Sequence, residues 1–202
     1  MQKLSQRQES PSQTAGPYVH IGCVPNFAGI TGVYPNDLGA TMFRDGVKGE
    51  RIKVTGTIFD GLGAPLKDAM IEVWQADADG IYPGNDPRGP ADPNFNGWGR
   101  VAGDGTTGVW SLETIKPGPV PFPDGRTMAP HISFWIVARG INIALQTRMY
   151  FPDDPVNERD PWLTRIEHQN RVPTLIATQT QPGTYQFDIH LQGPVETVFF
   201  DV

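Results

Sequence analysis

Hydrophobic residues alternate with polar ones over several short stretches, and this period of two predicts strands. In Arg51–Phe59, Ile52, Val54 and Ile58 fall at even spacing, and Asp60-Gly-Leu-Gly63 follows as a turn. Ala69–Gln75 is the expected hairpin partner, with Ile71 and Val73 facing inward. Gly108–Thr114 sets Trp110 and Leu112 against Val109, Ser111 and Glu113. Ile132–Val137 and Ile143–Phe151 read as two adjacent strands joined across Arg139-Gly140. The clearest alternation sets Tyr185, Phe187, Ile189 and Leu191 against Gln186, Asp188, His190 and Gln192. Val195–Val202 reads as a last short strand. Helical signals are confined to Asp160–Gln169, where Asp160 is placed to cap and Pro161 to occupy the first helical position.

Many short strands with turn signals and almost no helix predict an all-β protein, a β-sandwich of mixed or antiparallel strands with long loops. Gly80–Trp98, rich in Pro, Asn and Asp, is the longest of these loops. The first 50 residues show little periodicity and read as an extended N-terminal arm and loops, with residues 51–202 forming the sandwich. Residues 1–12 are polar and expected to be loose unless a partner covers them. No repeat or linker divides the 202 residues, so one domain is expected.

Composition narrows the function classes. A net charge of −6 argues against nucleic acid and anionic membrane surfaces as partners. The single cysteine, Cys23, rules out an internal disulfide and fits a reducing compartment. The polar N-terminus does not resemble a signal peptide, and no apolar run approaches a membrane span, so a cytoplasmic location is expected. The 23 glycines and 20 prolines fit a loop-rich fold without reaching the level of a disordered chain.

Several segments, in order, carry a resemblance to a known family. They are Ser12-Gln-Thr-Ala-Gly-Pro-Tyr-Val-His-Ile-Gly22, Glu72-Val-Trp-Gln-Ala-Asp-Ala78, Ala129-Pro-His131, Ala138-Arg-Gly-Ile-Asn142, Met149-Tyr-Phe151 and Glu196-Thr-Val-Phe-Phe-Asp201. With Gly80-Ile-Tyr82 and Thr114-Ile-Lys-Pro-Gly118, they resemble the intradiol ring-cleaving dioxygenases, whose fold is a β-sandwich. That family holds Fe(3+) with two tyrosines and two histidines, because a hard cation prefers phenolate oxygen and imidazole. Position by position, this chain keeps Tyr82 and His131 but has Val120 and Ser133 at the other two ligand positions. Met128 stands where the family places an arginine that stabilises the reacting substrate. Valine has no lone pair and serine is a poor ligand at neutral pH, so at most two protein ligands remain, against the three or four of a stable site.

The resemblance therefore implies a subunit that binds no iron. Its expected partner is a homologous β subunit carrying the Fe(3+), in an obligate hetero-oligomer of several α–β pairs that cleaves a small aromatic substrate, 3,4-dihydroxybenzoate. The resemblance places Thr14, Gly16 and Pro17 of the arm, together with Arg139, against the partner's pocket. Other readings stay open at this stage: a homomeric dioxygenase with a rearranged iron site, or a β-sandwich assembly module without chemistry.

Taken alone, each of these residues has a plainer explanation. Tyr82 and His131 read as packing or hydrogen-bonding residues, Gly16-Pro17 as a surface turn, and Arg139 as an exposed hairpin arginine. Arg148 lies within a strand and reads as structural. His20, His168 and His190 have no metal-ligand spacing, and Asp153-Asp154 reads as a loop initiator. The tryptophans at 74, 98, 110, 135 and 162 read as core or interface.

Overall fold

The computed structural model describes residues 13–152 and 154–201, so the 1–12 stretch, Asp153 and Val202 lie outside the described residues. One short helix, α1 (Val19–Cys23), precedes the strands β1 (Arg51–Phe59), β2 (Met70–Trp74), β3 (Trp98–Ala102) and β4 (Val109–Ile115). Then come β5 (Val120–Pro121), β6 (Thr127–Met128), β7 (His131–Val137), β8 (Leu145–Tyr150), β9 (Thr178–Gln181), β10 (Thr184–Gln186) and β11 (Ile189–His190). One sheet is built around β1, which pairs antiparallel with β4 on one edge and parallel with β10 and β11 on the other; β9 closes that side. The second sheet is fully antiparallel in the order β3-β2-β7-β8. β5 and β6 form a small hairpin of their own.

The expected all-β sandwich is what the chain forms. Ile52, Val54, Ile58, Trp110 and Leu112 from the first sheet pack against Ile71, Val73, Ile132, Phe134, Ile136 and Met149 from the second. Trp110 meets Phe134 edge-on with centroids 5.6 Å apart, and Phe134 meets Phe187 at 5.3 Å. Each such side chain, fully buried, contributes about 1.5–3 kcal/mol. Val24 and Met42, from the first quarter of the chain, are also buried, and Met42 belongs to this same core.

Several expectations need correction. β2 is not the hairpin partner of β1. Both edges of β1 are taken, by β4 and by β10 and β11, and residues 60–69 carry the chain across to the other sheet. The Asp60–Gly63 turn does form: the Asp60 carboxylate accepts from the Leu62 and Ala64 amides. The alternating run 185–191 is split into β10 and β11. There the Asp188 carboxylate, not a backbone carbonyl, accepts the Thr57 amide at 2.9 Å. Gly56 makes that close pass possible, since a Cβ there would sit 1.9 Å from the Phe187 carbonyl oxygen.

Residues 160–169 do not form a helix. Asp160 caps as expected, accepting from the Trp162 and Leu163 amides, but only a 3-10 turn follows (Leu163–Arg165) before Ile166 turns extended to pack on a satellite core. Near the C-terminus, a strand is replaced by one bridge, Phe200 to Gln146, because the Thr147 hydroxyl takes the Val198 carbonyl. β3, β5, β6 and β9 carried too little alternation to be read from sequence.

A buried amide joins the two layers. Gln75 follows β2 of the second sheet and is fully buried. Its Nε2 donates to the Ile115 carbonyl at 2.9 Å and its Oε1 accepts the Thr114 hydroxyl at 2.9 Å, both on β4 of the first sheet. Gln75→Leu keeps the volume and orphans both groups. It should lower stability by about 2–4 kcal/mol, measured by chemical denaturation, because a stranded buried polar group costs about 1–3 kcal/mol.

Candidate functional site

Tyr82 is held by a loop that one buried carboxylate organises. Asp77 Oδ1 accepts from the Asp79 and Ile81 amides at 3.0 and 2.9 Å, and Oδ2 accepts from the Asp92 amide at 2.8 Å. Gly80, at φ 76°, passes so close to Pro119 that a Cβ would lie 2.0 Å from its carbonyl oxygen. The turn can be closed only by glycine. The Tyr82 ring then stacks on Trp74, 6.0 Å between centroids and 7° from parallel.

His131 opens β7 and is buried. Its Nδ1–H donates to the Ala129 carbonyl at 2.7 Å, which fixes the neutral tautomer and leaves the Nε2 lone pair for the Tyr82 hydroxyl at 3.2 Å. Ala129 is anchored in turn: its amide donates to Asp160 Oδ2 at 2.7 Å. Burial, with the Arg148 charge in support, drops the imidazole to a pKa of about 4. Burial also raises the Tyr82 phenol above its ordinary value. The pair is a neutral phenol donating to a neutral imidazole.

The positions around this pair have become a small apolar core. Val120 and Met128 pack with Ala76, and Tyr82, Phe122 and Trp162 close over them. Arg148 lies over the Trp162 ring at 4.4 Å, and its Nη1 approaches Met128 Sδ at 3.6 Å. Ser133, half-buried, sits in register between Trp74 and Arg148. The structure thus brings Tyr82, Val120, Met128 and His131 together, with Ser133 two residues along the same strand face. As a donor set it offers one phenol and one imidazole, already satisfied by each other, and does not fit a ferric ion.

A second group gathers at the far end of β7. Thr14 Oγ1 accepts from the Gly140 amide at 2.9 Å and donates to the Ile141 carbonyl at 3.0 Å, so the arm is tied to the turn that carries Arg139. Gly16 and Pro17 follow directly, and the Gly16 carbonyl accepts from the Val19 amide as α1 begins. Arg139 Nε lies 3.3 Å from Asp68 Oδ2. Arg139 and Asp68 border a cavity of about 370 Å³ that His20, Lys67 and Asp60 also line. The six rises from His131 to Val137 separate this group from the Tyr82–His131 pair by roughly 20 Å, at ~3.3 Å per residue.

Asp68 carries no local motif, and its place is set by strand register. Beyond the capping expected of it, the buried Asp160 carboxylate also receives the Ala129 amide and the Tyr150 hydroxyl. His190 stacks on Phe59 at 5.0 Å and His168 lines a surface groove with Arg165 and Arg171; neither joins the two groups above. Asp154 starts its turn by accepting the Val156 amide. Among the described residues no cluster of three His, Cys, Asp or Glu could hold a metal ion, and no helix is long and apolar enough to cross a membrane.

Comparison with known proteins agrees with this architecture. A dioxygenase family model matches residues 25–193. The chain belongs to the intradiol dioxygenase family. It is 43% identical over 197 residues to the protocatechuate 3,4-dioxygenase alpha chain of Pseudomonas putida, covering 96% of each. It is 36% identical to the alpha chain from Burkholderia cepacia, covering 96% of this chain and 98% of that one. The beta chain from Burkholderia cepacia is also 36% identical, over 72% of this chain and 66% of its own length. Among solved structures, the dioxygenase domain of a carbohydrate-binding fusion from Streptomyces sp. SirexAA-E superposes with a TM-score of 0.53 at 25% identity, over 77% of this chain and 85% of that one. Catechol 1,2-dioxygenase from Acinetobacter shares the fold at a TM-score of 0.57 and 22% identity, over 76% and 60% of the two chains.

The buried imidazole of this intradiol dioxygenase chain couples stability to pH. Its pKa is depressed in the folded state, so its contribution is complete above pH about 6.5 and is lost as the pH falls toward about 4. The loss amounts to about 3 kcal/mol. Denaturation at pH 7, 5.5 and 4 should show this decline, and His131→Gln should flatten it.

Proposed function

We propose that this chain is the iron-free α subunit of a hetero-oligomeric, cytoplasmic protocatechuate 3,4-dioxygenase. Its partner is a homologous β subunit that holds the Fe(3+), and several α–β pairs make the assembly. The reaction opens the ring of 3,4-dihydroxybenzoate between its two hydroxyls with O₂, giving 3-carboxy-cis,cis-muconate; the bound iron supplies the activation of substrate toward oxygen. This chain supplies Thr14, Gly16, Pro17 and Arg139 to the rim of the partner's pocket.

The observation that carries this reading is the separation of the two groups along β7. The Tyr82–His131 remnant and the Thr14–Arg139 corner lie at opposite ends of one strand, several ring lengths apart. Arg139 therefore has no access to a substrate at this chain's own remnant site, and a carboxylate receptor there serves a pocket in another chain. The similarity to both alpha and beta chains supplies such a partner. The exposed apolar side chains fit a surface that a subunit covers: Tyr18 and Phe27 stand out from the arm, Ile143 from the β7–β8 turn, and Trp74 and Trp135 from the outer sheet face.

Metal analysis of the chain purified alone should find far less than one iron per chain and no visible charge-transfer band. Stoichiometric, coloured iron would overturn the reading. Tyr82→Phe, incorporated into the α–β complex, should keep iron content and turnover, at a stability cost of about 1–3 kcal/mol because the buried His131 Nε2 loses its donor; loss of colour would show that this phenol reaches a metal. Arg139→Ala should lower kcat/KM for protocatechuate about tenfold, since a desolvated charge-assisted bond is worth about 1.5–3 kcal/mol and about 1.4 kcal/mol is one decade. Catechol, which lacks the carboxylate, should be affected much less. Equal losses for both would remove Arg139 from the carboxylate contact.

A further inference from the structure

We propose that Asp68 is a positioning residue that aims the Arg139 guanidinium at the carboxylate of an aromatic acid; the inference rests on the pocket reading above. β2 and β7 pair antiparallel with Met70 opposite Val137. Two residues further on, the same register sets Asp68 across from Arg139, and the carboxylate indeed reaches Arg139 Nε at 3.3 Å. The two partners are unequal. The Asp68 side chain is 13% exposed and that of Arg139 65% exposed, so the carboxylate is the fixed member and the guanidinium the steered one.

The point of attachment matters as much as the distance. The Asp68 carboxylate comes closest at Nε and not at the two terminal amino groups, which form the outer edge of the guanidinium. That outer edge is the fork that receives a carboxylate through two parallel hydrogen bonds. The backbone of the same turn is fixed separately by the Thr14 hydroxyl, through the Gly140 amide and the Ile141 carbonyl. Gly140, at φ 89°, lets the chain turn there. The arm thus holds the turn and Asp68 holds the side chain. As a stabilising ion pair, a contact this exposed contributes little. Its value is orientation, which lowers the entropy lost when the guanidinium engages a carboxylate.

The test uses the intact α–β complex carrying Asp68→Ala, Asp68→Asn, Arg139→Ala or the Asp68→Ala/Arg139→Ala pair. If Asp68 aims the guanidinium, Asp68→Ala raises KM for protocatechuate about three- to tenfold with kcat and iron content unchanged. Asp68→Asn, whose amide oxygen still lies beside Nε, recovers most of the loss. Catechol affinity, measured as substrate or as competitive inhibitor, stays the same, and the double variant is no worse than Arg139→Ala alone. If Asp68 merely cancels charge, Asp68→Ala lowers KM instead, because removing an anion near the receptor helps an anionic substrate, and the inference is overturned. An unchanged KM overturns it too. If Arg139→Ala itself spares the protocatechuate KM, the pocket reading and this inference fall together; if Arg139→Ala raises KM and Asp68→Ala does not, only the role of Asp68 falls.

Discussion

The antiparallel pairing of β2 with β7 is the constraint on which the rest hangs. Its register is fixed because Ile71, Val73, Ile132, Phe134 and Ile136 must all face the other sheet, and a slip of one residue would turn every one of them outward. At one end the register sets Trp74 opposite Ser133, with Tyr82 stacked on Trp74 and His131 just beyond. At the other it brings Asp68 across from Arg139. A hydrophobic requirement in the middle of the sheet thus dictates what is near what at both functional ends.

The Tyr82–His131 pair shows how two polar groups settle among apolar neighbours. A buried phenol and a buried imidazole each need a partner, because an unsatisfied polar group in a dry interior costs more than a hydrogen bond contributes. Here the two partner each other, and Val120 and Met128 fill the neighbouring volume with apolar contacts. Arg148 survives among these aromatics by lying flat on Trp162, where the ring face compensates part of its lost hydration. The loop supports remain in place: Asp77 still closes the Tyr82 loop, and Asp160 still anchors Ala129 ahead of His131. Both supports serve packing, whatever the chemistry of the pair they hold.

The sheet class was legible because alternation reports a half-buried strand directly: Trp110 and Leu112 are buried while Val109, Ser111 and Glu113 are exposed, as the pattern requires. Pairing partners were not legible. Alternation says that a strand has two faces but not which edge it joins, so β2 was assigned to β1 when it belongs to the other layer. The Asp160–Gln169 stretch carries genuine start signals, yet the tertiary pull on Ile166 outweighs them after one turn. Tyr82, Val120, Met128, His131 and Ser133 were found through the resemblance to the family, whereas Asp68 acquires its meaning only when register sets it opposite Arg139. The link between Thr14 and Gly140 spans 126 residues and has no sequence signature at all.

The proposed division of labour between two homologous chains is in keeping with the same geometry. A sandwich strand has two ends: in this chain one bears the exposed Arg139, while beside His131 at the other Val120, Met128 and Trp162 pack together. A chain that kept chemistry at the His131 end would still need a carboxylate receptor near it, and its own Arg139 equivalent would lie a strand length away. A second copy is the direct way to bring the far end of one sandwich against the near end of another. In the proposed assembly the donor chain needs no metal site of its own for turnover, and residues that pack can stand at those positions. On that proposal, the apolar packing around Val120 and the Thr14–Arg139 corner are two consequences of one arrangement.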